Sequence, residues 1–252
     1  MALVSARFAT PEFIQRAAEN VVQLPVHLDG KLTPVTSGTL TVTDEGGNTI
    51  VDAQSVSITS QIATYTLSAG VLPDTLPLST DWLEEWKLTV EGTEHTFRRE
   101  AYLVLRKLYP VLTEPDLLRR HNSLDRLRPA NLANYGTYLQ EAWDEIQIRL
   151  LEGGRRPQLI MSPWSLRQVH IDKTLEIIYR DFMTLAGDGN YAKLAEFYGE
   201  QFEANWNKLV LTYDYDEEGS PGDAEEGVAV EPVTYLTAGP SGLSTYVPGD
   251  LY

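Results

Sequence analysis

The chain has 252 residues, a formal net charge of −16, 42% hydrophobic and 10% aromatic residues, and no cysteine. Apolar content of that size can build cores for about two domains, while the missing cysteine excludes disulfides, thiolate metal sites, iron–sulfur clusters and cysteine nucleophiles. The excess charge has the wrong sign for a surface that grips phosphates, which argues against tight nucleic-acid binding by the chain as a whole.

The charge is unevenly spread. After Lys208 the last 44 residues hold nine acids and no Lys or Arg, and 14 of the 20 bases lie between Arg98 and Arg180. The longest apolar runs, such as Ala101–Leu105, fall far short of the ~20 residues of a membrane span. The N-terminus MALVSARFATPEF has neither the basic flank nor the apolar stretch of a secretory signal. A soluble protein made in the cytoplasm, with no membrane association, is expected.

In chain order, Thr10–Glu19 is expected as a short helix ahead of a strand-rich region from about Asn20 to Leu105. Val22, Leu24, Val26 and Leu28 alternate with other residues, and Leu40 and Val42 repeat the period of two before the turn cluster Asp44-Glu45-Gly46-Gly47-Asn48. Val56 and Ile58 follow, then Ile62, Tyr65 and Leu67. Glu85–Val90 and His95–Leu105 flank Glu91-Gly92-Thr93, the pattern of a hairpin with glycine at the turn. Six or seven short strands with regularly spaced turns point to an immunoglobulin-like sandwich.

The hydrophobic period changes near Tyr109-Pro110, and Thr113-Glu114-Pro115-Asp116 is a helix start: a capping hydroxyl, an early proline and acids at the positive end of the dipole. A long helix is expected over Asn131–Glu152, with the stripe Leu132, Tyr135, Leu139, Ala142, Ile146 and Leu150, closed by Gly153-Gly154. Ser162-Pro163 opens the next, with the stripe Ile171, Leu175, Ile178, Phe182 and Leu185. A third starts at Asp188 or Asn190 and runs through Tyr191, Leu194, Tyr198, Phe202 and Trp206. Short loops between them imply antiparallel packing. From Leu209 the chain alternates as a terminal strand, and beyond Asp216 it is acidic and rich in Gly and Pro. Apolar residues recur through this stretch, which marks it as an arm that orders against a partner, with Leu211, Tyr213, Tyr215, Val230, Val233, Tyr235, Tyr246 and Tyr252 as candidate partner-binding residues. The reading is therefore α+β multidomain: an immunoglobulin-like β-sandwich with its short leading helix (1–109), an antiparallel α-helical bundle (110–210) and an extended acidic C-terminal arm (211–252).

The sequence offers little to a catalytic mechanism. His27, His95, His121 and His170 form no pair at metal-ligand spacing, and HExxH, GxSxG, Walker and GxGxxG motifs are absent. Gly187-Asp188-Gly189-Asn190 reads as a helix–helix turn, and the pairs Glu84-Glu85 and Glu225-Glu226 read as solvated charge. Asp214, Asp216, Glu218, Gly219 and Glu225 match positions one, three, five, six and twelve of an EF-hand-like calcium loop. Pro221 and the lack of an exit helix stand against that match. Gly153-Gly154-Arg155-Arg156-Pro157 is a basic loop, either solvated or in contact with phosphate or an acidic neighbour. No catalytic or cofactor-binding residue is assigned, and no cofactor is expected.

Several features taken together resemble the head–tail connector (adaptor) proteins of tailed bacteriophages. They are the opening helix Thr113-Glu-Pro-Asp-Leu-Leu-Arg-Arg-His121, the long helix ending at Glu152-Gly-Gly154, the helix Asp172–Ala186, the stretch Gly189-Asn-Tyr-Ala-Lys-Leu-Ala-Glu-Phe-Tyr198 and the exit Leu209-Val-Leu-Thr-Tyr-Asp-Tyr215. The match covers about 100 residues and lies in the order and lengths of elements rather than in one motif. The resemblance implies a virion protein of the neck: a ring of twelve copies between the portal and the next neck or tail protein, around DNA that passes without sequence-specific contact, with the C-terminal extension engaging the portal. The N-terminal sandwich is an addition to that family's pattern. Other readings are a head-completion or tail-terminator protein, or a surface carbohydrate-binding module.

Overall fold

The computed structural model describes residues 4–6, 10–129, 132–186 and 189–215. It is a mixed α and β chain, with strands first and helices after.

Among the described residues there are ten strands: β1 (Val4–Ala6), β2 (Glu12–Gln15), β3 (Asn20–Leu28), β4 (Lys31–Leu32), β5 (Val35–Thr43), β6 (Thr49–Ser55), β7 (Ser57–Thr59), β8 (Ile62–Leu67), β9 (Ser79–Val90) and β10 (Thr93–Val104). They form two five-stranded sheets, β1-β3-β8-β7 with β4 beside β3, and β2-β10-β9-β5-β6. One apolar cluster joins them: Val22, Leu24 and Val26 of β3 and Leu67 of β8 share it with Trp82, Trp86 and Leu88 of β9 and Leu103 of β10. The period of two along β3 and β9 places those side chains on one face of each strand. β9 and β10 pair through a two-residue turn in which Glu91 (φ 48°) and Gly92 (φ 79°) both take positive φ, the geometry that matches strand twist in a tight hairpin. In the turn after β5, the Asn48 N–H donates to Asp44 Oδ1 at 2.7 Å and Gly47 supplies φ 78°.

The expected leading helix is a strand instead. Thr10–Glu19 is not a helix: β2 lies within it and pairs parallel with β10, Glu12 opposite Ala101 and Gln15 opposite Val104. Phe13 and Ile14 are both buried there, and the edge of β10 supplies hydrogen-bond partners that an isolated decapeptide lacks.

Among the described residues five α-helices follow: α1 (Glu114–Arg120), α2 (Ser123–Leu127), α3 (Gly136–Glu152), α4 (Arg167–Ala186) and α5 (Gly189–Asn207). At the start of α1 the Thr113 hydroxyl donates to Asp116 Oδ2 at 2.7 Å, and this bond is the main reason that the Asp116 carboxyl lies below its ordinary pKa. The helices enclose two clusters. Leu117, Leu124, Tyr135, Ile171, Leu175, Ile178 and Phe182 form one. Trp143, Ile146, Leu150, Val169, Phe202 and Trp206 form the other, which continues through Leu211 and Tyr213. Leu185, expected on the buried stripe of α4, is instead 65% exposed, because the helix outruns the core at its C-terminal end. The sheets meet the helices where Leu105 N–H bonds the Gln158 carbonyl at 3.0 Å and Leu78 packs against both the cluster between the sheets and the Trp143–Trp206 cluster of the helices.

Candidate interaction surfaces

A charge cluster sits inside the sheet pair. Glu84 lies on the inner stripe of β9 and is fully buried, a correction to the expectation of a solvated Glu84-Glu85 pair. Its strand neighbour Glu85 does point outward, where it pairs with Arg98 at 2.9 Å. Arg99, directly across the hairpin from Glu84, donates to Glu84 Oε2 from Nε (2.8 Å) and Nη2 (2.6 Å), and Trp86 Nε1 donates to the same oxygen at 2.9 Å. Arg99 Nη1 also reaches Glu12 Oε2 at 3.0 Å, so this guanidinium ties β2 to the sheet. Burial pushes the Glu84 carboxyl above its ordinary pKa, against the opposing pull of Arg99. The cluster ties β2, β9 and β10 together inside a packed core.

The register itself was readable. A two-residue turn at Glu91-Gly92 sets Glu84 opposite Arg99 and Glu85 opposite Arg98. Glu84 also shares its strand face with Trp82, Trp86 and Leu88, which the period of two implies.

In the helical part, His170 is buried between α3 and α4. Its Nε2 lies 2.9 Å from the Leu139 carbonyl, its ring is 5.3 Å from that of Trp143, and burial lowers its pKa. Asp172, two residues further along α4, accepts from Gln168 (2.8 Å) and Asn205 (2.6 Å), and burial raises its pKa. His121 stands edge-on to Tyr198 with its pKa lowered by burial, His95 stacks on Phe97, and His27 lies on β3. Among the described residues no group of three or more His, Asp or Glu side chains is placed to hold a metal ion.

A groove of about 580 Å³ runs between α3, α4 and α5. Arg149 lies over the Phe202 ring at 5.0 Å and grips Glu203 through two 2.5 Å hydrogen bonds. Lys173, also over Phe202, contacts Glu145 at 2.5 Å and Glu176 at 3.2 Å. Each cation thus already has its carboxylates, which makes the groove a self-paired polar surface.

The helical surface is less satisfied elsewhere. Trp164 is 59% exposed, Phe197 49%, and Leu185, Leu194 and Met183 stand out around the α4–α5 turn. Phe197 and Leu194 are three residues apart on α5 and so share a face.

The predicted partner-binding residues divide. Leu211 and Tyr213 are buried in the chain's own helical cluster, held by the antiparallel bridge from Ile160 to Tyr213 and by the Tyr213 hydroxyl donating to the Arg155 carbonyl at 2.9 Å. Burial pushes the Tyr213 phenol up to about 12. Tyr215 is exposed and stacks on Tyr213 at 5.5 Å. Val230, Val233, Tyr235, Tyr246 and Tyr252 lie outside the described residues. Of the calcium-loop candidates, Asp214 is buried, with its N–H on the Leu159 carbonyl at 3.1 Å, while Asp216, Glu218 and Glu225 lie outside the described residues. Among the described residues no helix is long and apolar enough to cross a membrane.

No family model matches the chain, and no curated protein does. Among solved structures it is similar to an engineered protein at 20% identity, over 42% of this chain and 20% of that one, with a TM-score of 0.30. It is similar to the α2-macroglobulin of E. coli at 11% identity, over 40% and 6% of the two chains, with a TM-score of 0.29. A third similarity is to a β-glucosidase from Listeria innocua in complex with glucose, at 10% identity, over 41% and 16%, with a TM-score of 0.21. The matched stretch spans a fifth or less of each of those structures, and at such TM-scores none of them bears on the fold or activity of this chain.

Proposed function

We propose that this protein is a non-enzymatic structural component of the neck of a tailed bacteriophage, in which an immunoglobulin-like sandwich precedes a connector-type helical bundle. Copies of the bundle pack side by side in a ring, twelve by the resemblance, between the portal and the next neck or tail protein. Acidic walls let DNA pass by repelling it, so no base-reading residue is needed. The observation that carries this reading is the apolar surface around the α4–α5 turn. Leu185, Leu194 and Phe197 stand in water in the lone chain, and a repeated side-by-side contact would cover them.

The test is the native mass of the full chain mixed with the portal protein of the same phage. The expected result is a portal-bound ring, and Phe197→Asp, at an exposed position, should prevent it without loss of helicity. A chain that stays monomeric beside an assembled portal, or a ring that forms equally well with Phe197→Asp, refutes the reading. A deletion used alongside should end after Tyr215, since a cut at Lys208 removes Leu211 and Tyr213 from the core.

A further inference from the structure

We infer that the acidic run beginning at Asp216 docks in cis on the basic end of its own helical unit, around Arg155 and Arg156. The path of the chain brings it there. Tyr213 bonds the Arg155 carbonyl, Asp214 bonds the Leu159 carbonyl, and Tyr215 stacks back on Tyr213. Asp216, Glu217 and Glu218 come next in the sequence, and three residues of chain reach at most about 10 Å. Asp223, Glu225 and Glu226 come a few residues later, with no Lys or Arg among them.

The receiving surface is basic and under-paired. Arg149 and Arg155 each place a guanidinium 4.8 Å from the Trp206 ring. Arg149 has Glu203, whereas the Arg155 guanidinium bonds the Trp206 carbonyl at 3.4 Å, and among the described residues no ion pair is formed by Arg155 or Arg156. Arg156 is exposed and held at φ 39°, ψ 63°, a left-handed backbone that a side-chain-bearing residue rarely adopts. Such outliers concentrate at ligand clamps. Lys208, exposed just past α5, adds a further cation.

Opposing charge selects one wall of the adjoining cleft. The cleft, about 240 Å³, has Tyr102 and Thr80 on its sheet side and Gly154, Arg156 and Gln158 on its loop side. Arg156 is the charged residue of the lining, so an acidic segment meets a cation on the loop side. Glu152, exposed at the end of α3, is the acid nearest in sequence to the loop and stands against two arginines. Tethering favours the chain's own run over a second copy, because a short linker holds it at an effective concentration near millimolar. The arm is thereby parked until a partner competes for it.

The chain lacks cysteine, so Ser220→Cys provides a unique position for a nitroxide label in the full-length protein. In ¹⁵N-labelled, spin-labelled protein the amide peaks of Gly154, Arg155, Arg156 and Gln158 should lose height by paramagnetic broadening. That loss should disappear in about 1 M salt, where screening acts over about 3 Å. It should also disappear with Arg155→Glu/Arg156→Glu, whose other amide peaks report whether the fold is kept. A mixture of spin-labelled unenriched chains with unlabelled ¹⁵N chains should show no broadening. Absence of broadening in the first sample overturns the inference, as does equal broadening in the mixture, which would mean docking on a second copy. Broadening that survives both salt and the arginine reversal overturns it too. None of these outcomes depends on the portal, so a chain that docks its arm in cis yet ignores the portal refutes the neck reading alone.

Discussion

Arg99→Leu is the sharpest perturbation of the sheet pair. The substitution removes three hydrogen bonds of 2.6–3.0 Å at once, two to Glu84 and one to Glu12. Glu84 then keeps only the Trp86 indole as a donor, inside a core where it is fully buried, while Glu12 keeps Lys107 at 2.8 Å. Breaking one side of a buried pair leaves an uncompensated charge and costs roughly 3–5 kcal/mol, whereas replacing both members by apolar residues is often close to neutral. Arg99→Leu is therefore expected to lose about 3–5 kcal/mol at pH 7, and Glu84→Leu/Arg99→Leu to recover most of it. The sign with pH follows from the carboxyl. Burial already raises its folded pKa above the unfolded value of 4.5, and loss of Arg99, whose charge pulls it down, raises it further, so the variant takes up a proton on folding where the wild type keeps its ion pair. The stability from that proton is full below about pH 4.5 and is lost as pH rises through the folded pKa. The deficit of Arg99→Leu should accordingly shrink between pH 7 and pH 5. Urea unfolding followed by tryptophan fluorescence suits the assay, since Trp82 and Trp86 flank Glu84 on the same strand face. A loss below about 1 kcal/mol at pH 7, within the range of an ordinary surface pair, or a deficit that grows with acidity, refutes the reasoning.

His170 gives the opposite slope. Its folded pKa lies below about 6.5, so stability is full above that value and falls as acid protonates the unfolded chain first, by up to ~1.4 kcal/mol per pH unit. The advantage of the wild type over His170→Gln should thus narrow by about 1 kcal/mol between pH 7.5 and pH 5.5, and an unchanged gap in urea midpoints refutes it. Trp206→Ala should cost roughly 3–5 kcal/mol, because a buried ring lost from the second helical cluster leaves a cavity and strips Arg149 and Arg155 of their shared face. Gly38→Ala should cost about 1–3 kcal/mol by overpacking: an added Cβ would meet Leu88 Cδ2 at 2.3 Å and the Lys87 carbonyl at 2.6 Å, and thermal unfolding reads the loss. Thr113→Ala should cost about 0.5–2 kcal/mol through the lost cap of α1, measurable in the same way.

The parts legible in the sequence are those in which neighbouring residues carry the whole signal. The stripe Leu139, Ala142, Ile146 and Leu150 is buried as its spacing of three and four implies, and Glu91-Gly92 makes the tight turn that its residue types favour. What stayed hidden depends on partners distant along the chain. Phe13 and Ile14 sit in a decapeptide compatible with a helix, and the free edge of β10 makes it a strand. Leu211 and Tyr213 alternate as an exposed arm could, yet Ile160 and the Trp206 cluster bury them.

Local periodicity alone determined that strands come first, that three long amphipathic helices follow, and that an acidic segment without Lys or Arg ends the chain. Only tertiary structure decided the environment of each charge: Glu84 and Glu85 are adjacent in sequence, yet one is sealed against Arg99 in the core and the other faces water beside Arg98. The reason is physical. Secondary structure answers to interactions over a few residues, whereas desolvation depends on everything that packs around a group, and packing is a property of the folded whole.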